Sequence, residues 1–170
     1  MAFLTENRTI CRHEADAMEV IWDIISEFNP DLVIELGTFN GGFTEFLQAV
    51  THNRAKIYSY DNISYPLKDV FNDNVTFVIA DILSEPLEAI VELCKSKPRK
   101  LLYCDNGNKI RELKLYATYL NEDDLLGVHD WGKEIRYSDV EKVLINFTPH
   151  NHEIFEEKQL STRFFTKGAN

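Results

Sequence analysis

The chain has 170 residues, 44% of them hydrophobic, with 18 Lys+Arg against 28 Asp+Glu and a formal net charge of −10. That length suits one globular domain with a true core, and the apolar fraction excludes disorder. An acidic chain without a basic tract lacks the charge that neutralises a phosphate backbone, so nucleic acid is not expected as a partner.

Ala17, Met18, Ile21, Ile24, Ile25 and Phe28 recur at helical spacing and predict an amphipathic helix over 14–28, closed by Pro30. Leu32-Val33-Ile34 reads as a strand. Gly41 and Gly42 follow a short turn, and Phe43, Phe46, Leu47 and Val50 mark one face of a second helix. Lys56 to Tyr60 is the next strand, followed by an irregular stretch around Pro66 with room for a short helix, and Val75 to Ile79 is a third strand. Ser84 is placed as an N-cap with Pro86 in the first turn of a helix buried along Leu87, Ile90, Val91 and Cys94. Leu101-Leu102-Tyr103 follows as a strand. Ile110, Leu113, Ala117 and Leu120 predict another helix, and Leu125 to Val128 a fifth strand. Ser138 to Glu141 fits a capping box opening a helix through Phe147, and the runs 152–155 and 162–166 predict a closing antiparallel strand pair. Strands alternating with helices imply right-handed parallel crossovers, hence a doubly wound, mostly parallel α/β sheet.

Cys11, Cys94 and Cys104 are odd in number and widely spaced, with no C-x-x-C pair, as expected of buried thiols in a reducing compartment. No charged leader with an apolar stretch opens the chain, and no window approaches about 18 apolar residues. A cytoplasmic protein without membrane attachment is the expectation.

In such sheets ligands bind beyond the carboxyl ends of the strands. Those ends carry Glu35, Asp61, Asp81, Asp105 and Asp130, which predicts five carboxylates along one edge. Any one of them has a simpler use as a cap for the next helix. An acidic rim disfavours phosphates and suits hydroxyls, amines, positive charge or a divalent cation. The turn Glu35-Leu36-Gly37-Thr38-Phe39-Asn40-Gly41-Gly42 is neither G-x-G-x-x-G nor a phosphate loop, and no Lys or Arg occurs from Leu32 through His52. A neutral nucleoside with a charged amino-acid tail fits it better than a nucleotide.

Val33-Ile34-Glu35-Leu36-Gly37-Thr38-x-x-Gly41-Gly42 resembles motif I of the Rossmann-like S-adenosylmethionine-dependent methyltransferases. Within that superfamily, Asn29 to Glu35, Gly41-Gly42, and Cys104-Asp105-Asn106 leading through Glu112-Leu113 to His129-Asp130 are similar to the cephalosporin hydroxylase-like and rhamnosyl O-methyltransferase group. The resemblance implies a seven-stranded sheet with one reversed strand. It also implies one cofactor-binding domain over 1–170, with an N-terminal helical segment over 1–29 and a core over 30–170. Cofactor contacts would come from Glu35, Gly37, Thr38, Phe39, Asn40, Gly41 and Gly42, from Asp61 and Asn62 at the ribose, from Asp81 and Ile82 beside adenine, and from Asp105. Relatives hold Mg2+ after the fourth and fifth strands, which maps metal binding to Asp105, His129 and Asp130. His129 departs from the group's acid, and a nitrogen ligand shifts preference toward a transition metal. Asn108 stands where a His is common.

The implied activity is methyl transfer to a hydroxyl of a small-molecule acceptor such as a sugar or natural product. His129 and Asp130 are the catalytic candidates, His129 as ligand or general base. Alternatives are a cofactor-binding accessory module without transfer activity, and an NAD-dependent oxidoreductase using Asp61 for ribose. With almost no insertions between elements, the site is expected to be open or completed by a second subunit in a homodimer.

Overall fold

A computed structural model describes residues 3–4, 10–11, 13–65 and 71–169. The residues just after Tyr65, where a short helix was expected around Pro66, lie outside them.

A two-stranded antiparallel pair, β1 (Phe3–Leu4) and β2 (Ile10–Cys11), precedes α1 (Ala15–Phe28). The main sheet then builds in order: β3 (Leu32–Leu36), α2 (Gly42–Val50), β4 (Lys56–Asp61), β5 (Val75–Ile79), α3 (Glu88–Lys95), β6 (Lys100–Cys104), α4 (Lys109–Tyr116) and β7 (Leu125–Val128). It closes with α5 (Tyr137–Val140), β8 (Phe147–His150), α6 (His152–Glu157) and β9 (Arg163–Lys167). The seven strands lie in the order β5-β4-β3-β6-β7-β9-β8, with β9 antiparallel to both neighbours and the other contacts parallel. This is the mostly parallel sheet with one reversed strand expected from the sequence.

Both faces are covered, which explains the unbroken apolar runs in the central strands. Val33, Leu101 and Leu125 point to one face, under α1 and α2, and Ile34, Leu102 and Leu126 to the other, under α3 and α4. The three cysteines are free and buried. No described helix is long and apolar enough to cross a membrane.

Four boundaries differ from expectation, each for a local reason. Ser84 does not cap α3. The Asp81 carboxylate accepts from the Leu83 and Ser84 N–H groups, Arg111 binds the Leu83 and Ser84 carbonyls, and the helix starts only after Leu87. Beyond Tyr116, α4 tightens into a 3-10 turn over Ala117–Tyr119. The helix expected from Ser138 stops at Val140, and its cap is the Asp139 carboxylate accepting the Arg136 N–H at 2.8 Å rather than a Ser138–Glu141 box. The penultimate strand is Phe147–His150, while 152–155 is the start of α6. Pro149 argues against a strand in mid-sheet but is tolerated here because β8 lies on the edge. Asn151, in the left-handed region at φ 51, turns the chain into α6.

Candidate functional site

The chain runs from β3 outward to β4 and β5, then returns to lay β6 on the other side of β3. The crevice where the order reverses is the expected ligand site of an open α/β sheet. Here a cavity of about 490 Å³ opens at the carboxyl ends of the strands. Its walls include Gly37, Thr38, Phe39, Gly42, Asp61, Asn62, Tyr65, Asp105, Asn106, Gly107, Lys109, His129 and Asp130, together with Cys11, His13 and Phe43.

Gly37 sets the width of the crevice. It sits at φ +110, and a Cβ there would lie well inside the van der Waals radius of the Asp105 carbonyl. The ends of β3 and β6 therefore meet only because residue 37 has no side chain. The turn that follows is closed by the Gly41 N–H donating to the Thr38 carbonyl at 2.9 Å, with Phe39 held at φ 46. One Asp61 oxygen accepts the Phe39 N–H at 3.0 Å and the other the Ile63 N–H at 3.1 Å, which locks this carboxylate onto the cavity wall.

The opposite end of the cavity is ionic. Asp105 Oδ1 lies 3.1 Å from His129 Nδ1, and Asp130 Oδ2 lies 3.4 Å from the same nitrogen. The Lys109 ammonium stands among three carboxylates, 3.3 Å from Asp105 Oδ1, 3.0 Å from Asp130 Oδ2 and 2.8 Å from Glu134 Oε2. Burial opposes charge on Asp105, His129 and Lys109, but the pairing outweighs it. Asp105 is held below the usual carboxylate range by its His129 hydrogen bond and nearby positive charge, His129 is raised by Asp105 and Asp130, and Lys109 is raised by its acids. Asp130 adopts φ 55, a conformation seldom used by a non-glycine residue.

His13 reaches the same place from the N-terminal segment. Its ring stacks on Phe43 at 4.3 Å and lies 4.2 Å from the His129 ring. Nε2 bonds the Tyr103 hydroxyl at 2.8 Å and Nδ1 faces Cys11 Sγ at 3.2 Å. Burial, with the neighbouring His129 charge, depresses His13 to about 3, so it is a neutral ring at ordinary pH. Beneath the cavity floor, the buried Glu112 carboxylate accepts the Asn106 and Asn108 N–H groups at 3.1 Å, fixing the loop between β6 and α4. Burial raises Glu112 to about 7.

The structure thus brings together Gly37, Thr38, Phe39, Gly42, Asp61, Asn62, Asp105, His129 and Asp130 of the residues singled out from sequence. Asn40 and Gly41 shape the turn without lining the cavity. The expected row of five acids is reduced to three. Glu35 is fully buried, and one of its oxygens accepts the hydroxyls of Ser59 at 2.5 Å and Thr44 at 2.6 Å. Asp81 serves its own turn, and Ile82 is in the core. Sequence reasoning missed Glu134, Asn106 and Cys11. Glu134 was visible only as an acid four positions after Asp130, and nothing local marked Asn106 or Cys11 as cavity residues.

Two tests of fit follow from these contacts. The buried Asn106 side-chain NH2 has no partner among the described residues and lies on the cavity wall, where a ligand acceptor would satisfy it. With Asp61 and Asp105 also on the wall, the cavity suits a polar, cationic nucleoside such as S-adenosylmethionine. A divalent ion between Asp105 and Asp130 does not fit as the side chains stand, because the Lys109 ammonium is there. His13, Asp105 and His129 offer one ligand atom each within 4.8 Å of one another, but both His13 nitrogens are engaged.

No family profile matches the chain, and no curated protein matches it in sequence. Solved structures do. An apo structure of CmcI aligns with TM-score 0.75 and 16% identity over 99% of this chain and 77% of that one. CmcI with Mg and SAM aligns with TM-score 0.72 and 18% identity, over 98% and 77% of the two chains. A protein described as a candidate rRNA methylase from Clostridium thermocellum aligns with TM-score 0.56 and 15% identity, over 90% and 96%. At such identities the likeness is one of fold: this chain has the fold of S-adenosylmethionine-dependent methyltransferases.

Proposed function

We propose that the protein is an S-adenosylmethionine-dependent O-methyltransferase acting on a small molecule. The observation that carries this reading is a single cavity with Asp61 beside the glycine turn at one end and the His129–Asp105 pair at the other. When bound, S-adenosylmethionine supplies an electrophilic methyl on a sulfonium. Asp61 receives the ribose hydroxyls, its geometry fixed by the Phe39 and Ile63 N–H groups. Thr38, Phe39 and Gly42 line the cofactor, and the acidic wall attracts the sulfonium and the amine of the tail. His129 takes the acceptor hydroxyl's proton. Asp105 holds its Nδ1, which leaves Nε2 for the substrate and stabilises the imidazolium that forms. Phe43, His13 and Tyr65 line the same cavity, and the rate gain comes mainly from orientation.

A small acceptor is favoured over nucleic acid by the acidic cavity wall and the net charge of −10. The cavity mouth is open, and a second copy completing it would give a homodimer, which light scattering decides. Calorimetry with S-adenosylmethionine and S-adenosylhomocysteine tests the cofactor. Micromolar binding that weakens at least about ten-fold in Asp61→Ala is expected. No binding at millimolar cofactor, or tight binding of NADH instead, would sink the reading. Formation of S-adenosylhomocysteine with any hydroxylated acceptor, lost in His129→Ala, separates an enzyme from an accessory module.

A further inference from the structure

We propose that Lys109 is the resident cation of this site: its ammonium holds Asp105, Asp130 and Glu134 together in the place of a divalent metal ion, so the polar end of the cavity assembles without one. The three carboxylates come from the end of β6, the residues after β7 and the loop before α5, and all three meet at Lys109 Nζ, at 3.3, 3.0 and 2.8 Å. An ammonium has three N–H donors and no acceptor, which matches three converging carboxylate oxygens. Lys109 is 4% exposed, whereas lysines are seldom buried unless paired. Its position follows from the chain. It is four residues after Asp105 at the first turn of α4, so its stem runs back along the helix start toward the end of β6.

Asp105 and Asp130 each turn one oxygen toward Nζ. Asp105 Oδ1 and Asp130 Oδ2 face both Lys109 and His129 Nδ1, and neither is left for an ion. Mg2+ requires ligands at about 2.0–2.1 Å and Ca2+ at about 2.3–2.6 Å, so either would have to expel the ammonium rather than sit beside it. Expulsion would strip the buried Lys109 of two of its three counter-charges and leave it only the half-exposed Glu134, a cost a metal site built for that purpose does not carry. Lys109 is accordingly a positioning residue, one that fixes Asp105 and therefore the His129 ring.

The test is Mn2+ binding, followed by electron paramagnetic resonance and thermal melting, and it needs neither cofactor nor acceptor. Its failure therefore leaves the methyltransferase reading standing. The wild-type protein is expected to show no saturable Mn2+ binding below millimolar and no change in Tm with Mn2+. Lys109→Met, which leaves three acids facing one another, is expected to melt lower than wild type, to bind Mn2+ at least about ten-fold tighter, and to recover Tm with it. One Mn2+ bound at micromolar by the wild type, or equal affinities in the two proteins, would overturn the proposal. Should Lys109→Met fail to fold, lysine-labelled wild type serves: the Lys109 ammonium resonance is expected to stay unchanged in millimolar Mg2+, and its loss would refute the proposal.

Discussion

His129 and Asp105 form the pair on which chemistry at the single-residue scale turns. Burial favours a neutral His129, yet the Asp105 hydrogen bond and the charges of Asp105 and Asp130 raise its pKa above 6.5. The ring must be unprotonated to accept a proton, so kcat/KM should rise with pH through a value above 6.5. In Asp105→Asn the rise is expected to move to lower pH, with kcat reduced about 10²–10⁴-fold, measured as a pH–rate profile. Glu35 gives a separate signature in stability. Burial lifts it from 4.5 to about 8, and the Ser59 and Thr44 hydroxyls compensate only in part. Between those values the folded protein holds a proton that the unfolded chain releases, so this contribution is complete below 4.5 and is lost as pH rises through about 8. Glu35→Gln cannot ionise, and its Tm is expected to fall less than wild type between about pH 5 and pH 8.

At the scale of elements, the site depends on β3 and β6 ending in contact. Gly37→Ala must strain a φ of +110 and push against the Asp105 carbonyl, so it should cost more than about 2 kcal/mol in urea unfolding and abolish cofactor binding. The strand–helix rhythm was legible because the central strands β3, β6 and β7, buried on both faces, read as continuous apolar runs. The edges were not. β8 carries Pro149 and two exposed positions, while the apolar pair Ile154 and Phe155 imitates a strand but belongs to a helix turn. The acids were legible by position and not by direction. Side chains alternate along a strand, so Glu35 shares its face with Val33 and points under α2, whereas Asp61, Asp105 and Asp130 reach the cavity wall. Lys109 meets Glu134, and His13 meets His129, only when separate segments come together, and no spacing along the chain encodes those contacts.

On the scale of the whole molecule, a clamp ties Glu14, next to the cavity residue His13, to Lys133 and Ser161. Glu14 Oε1 accepts from Ser161 Oγ at 2.5 Å and Lys133 Nζ at 3.1 Å, and Lys133 also donates to Ser161 at 3.0 Å. These bonds hold Glu14 at about 2 despite its partial burial. Lys133 is 62% exposed, so the ion pair itself adds little, on the order of 0–1 kcal/mol. Glu14→Ala is therefore expected to leave Tm nearly unchanged while raising KM several-fold and speeding hydrogen exchange at Cys11, His13 and Glu14, because the backbone that carries His13 loses its anchor to Ser161 and Lys133. The reversed strand has a bearing on how the protein is made. β9 is bonded on both sides, and β8 joins the sheet through it alone, although β8 precedes it in the chain. As a nascent chain leaves the ribosome, β3 through β7 can pair in the order they emerge, but β8 must wait for residues 163–167. Ser161, which anchors Glu14, emerges just before them, so Glu14, beside the cavity residue His13, is fastened only after nearly all the other residues have appeared.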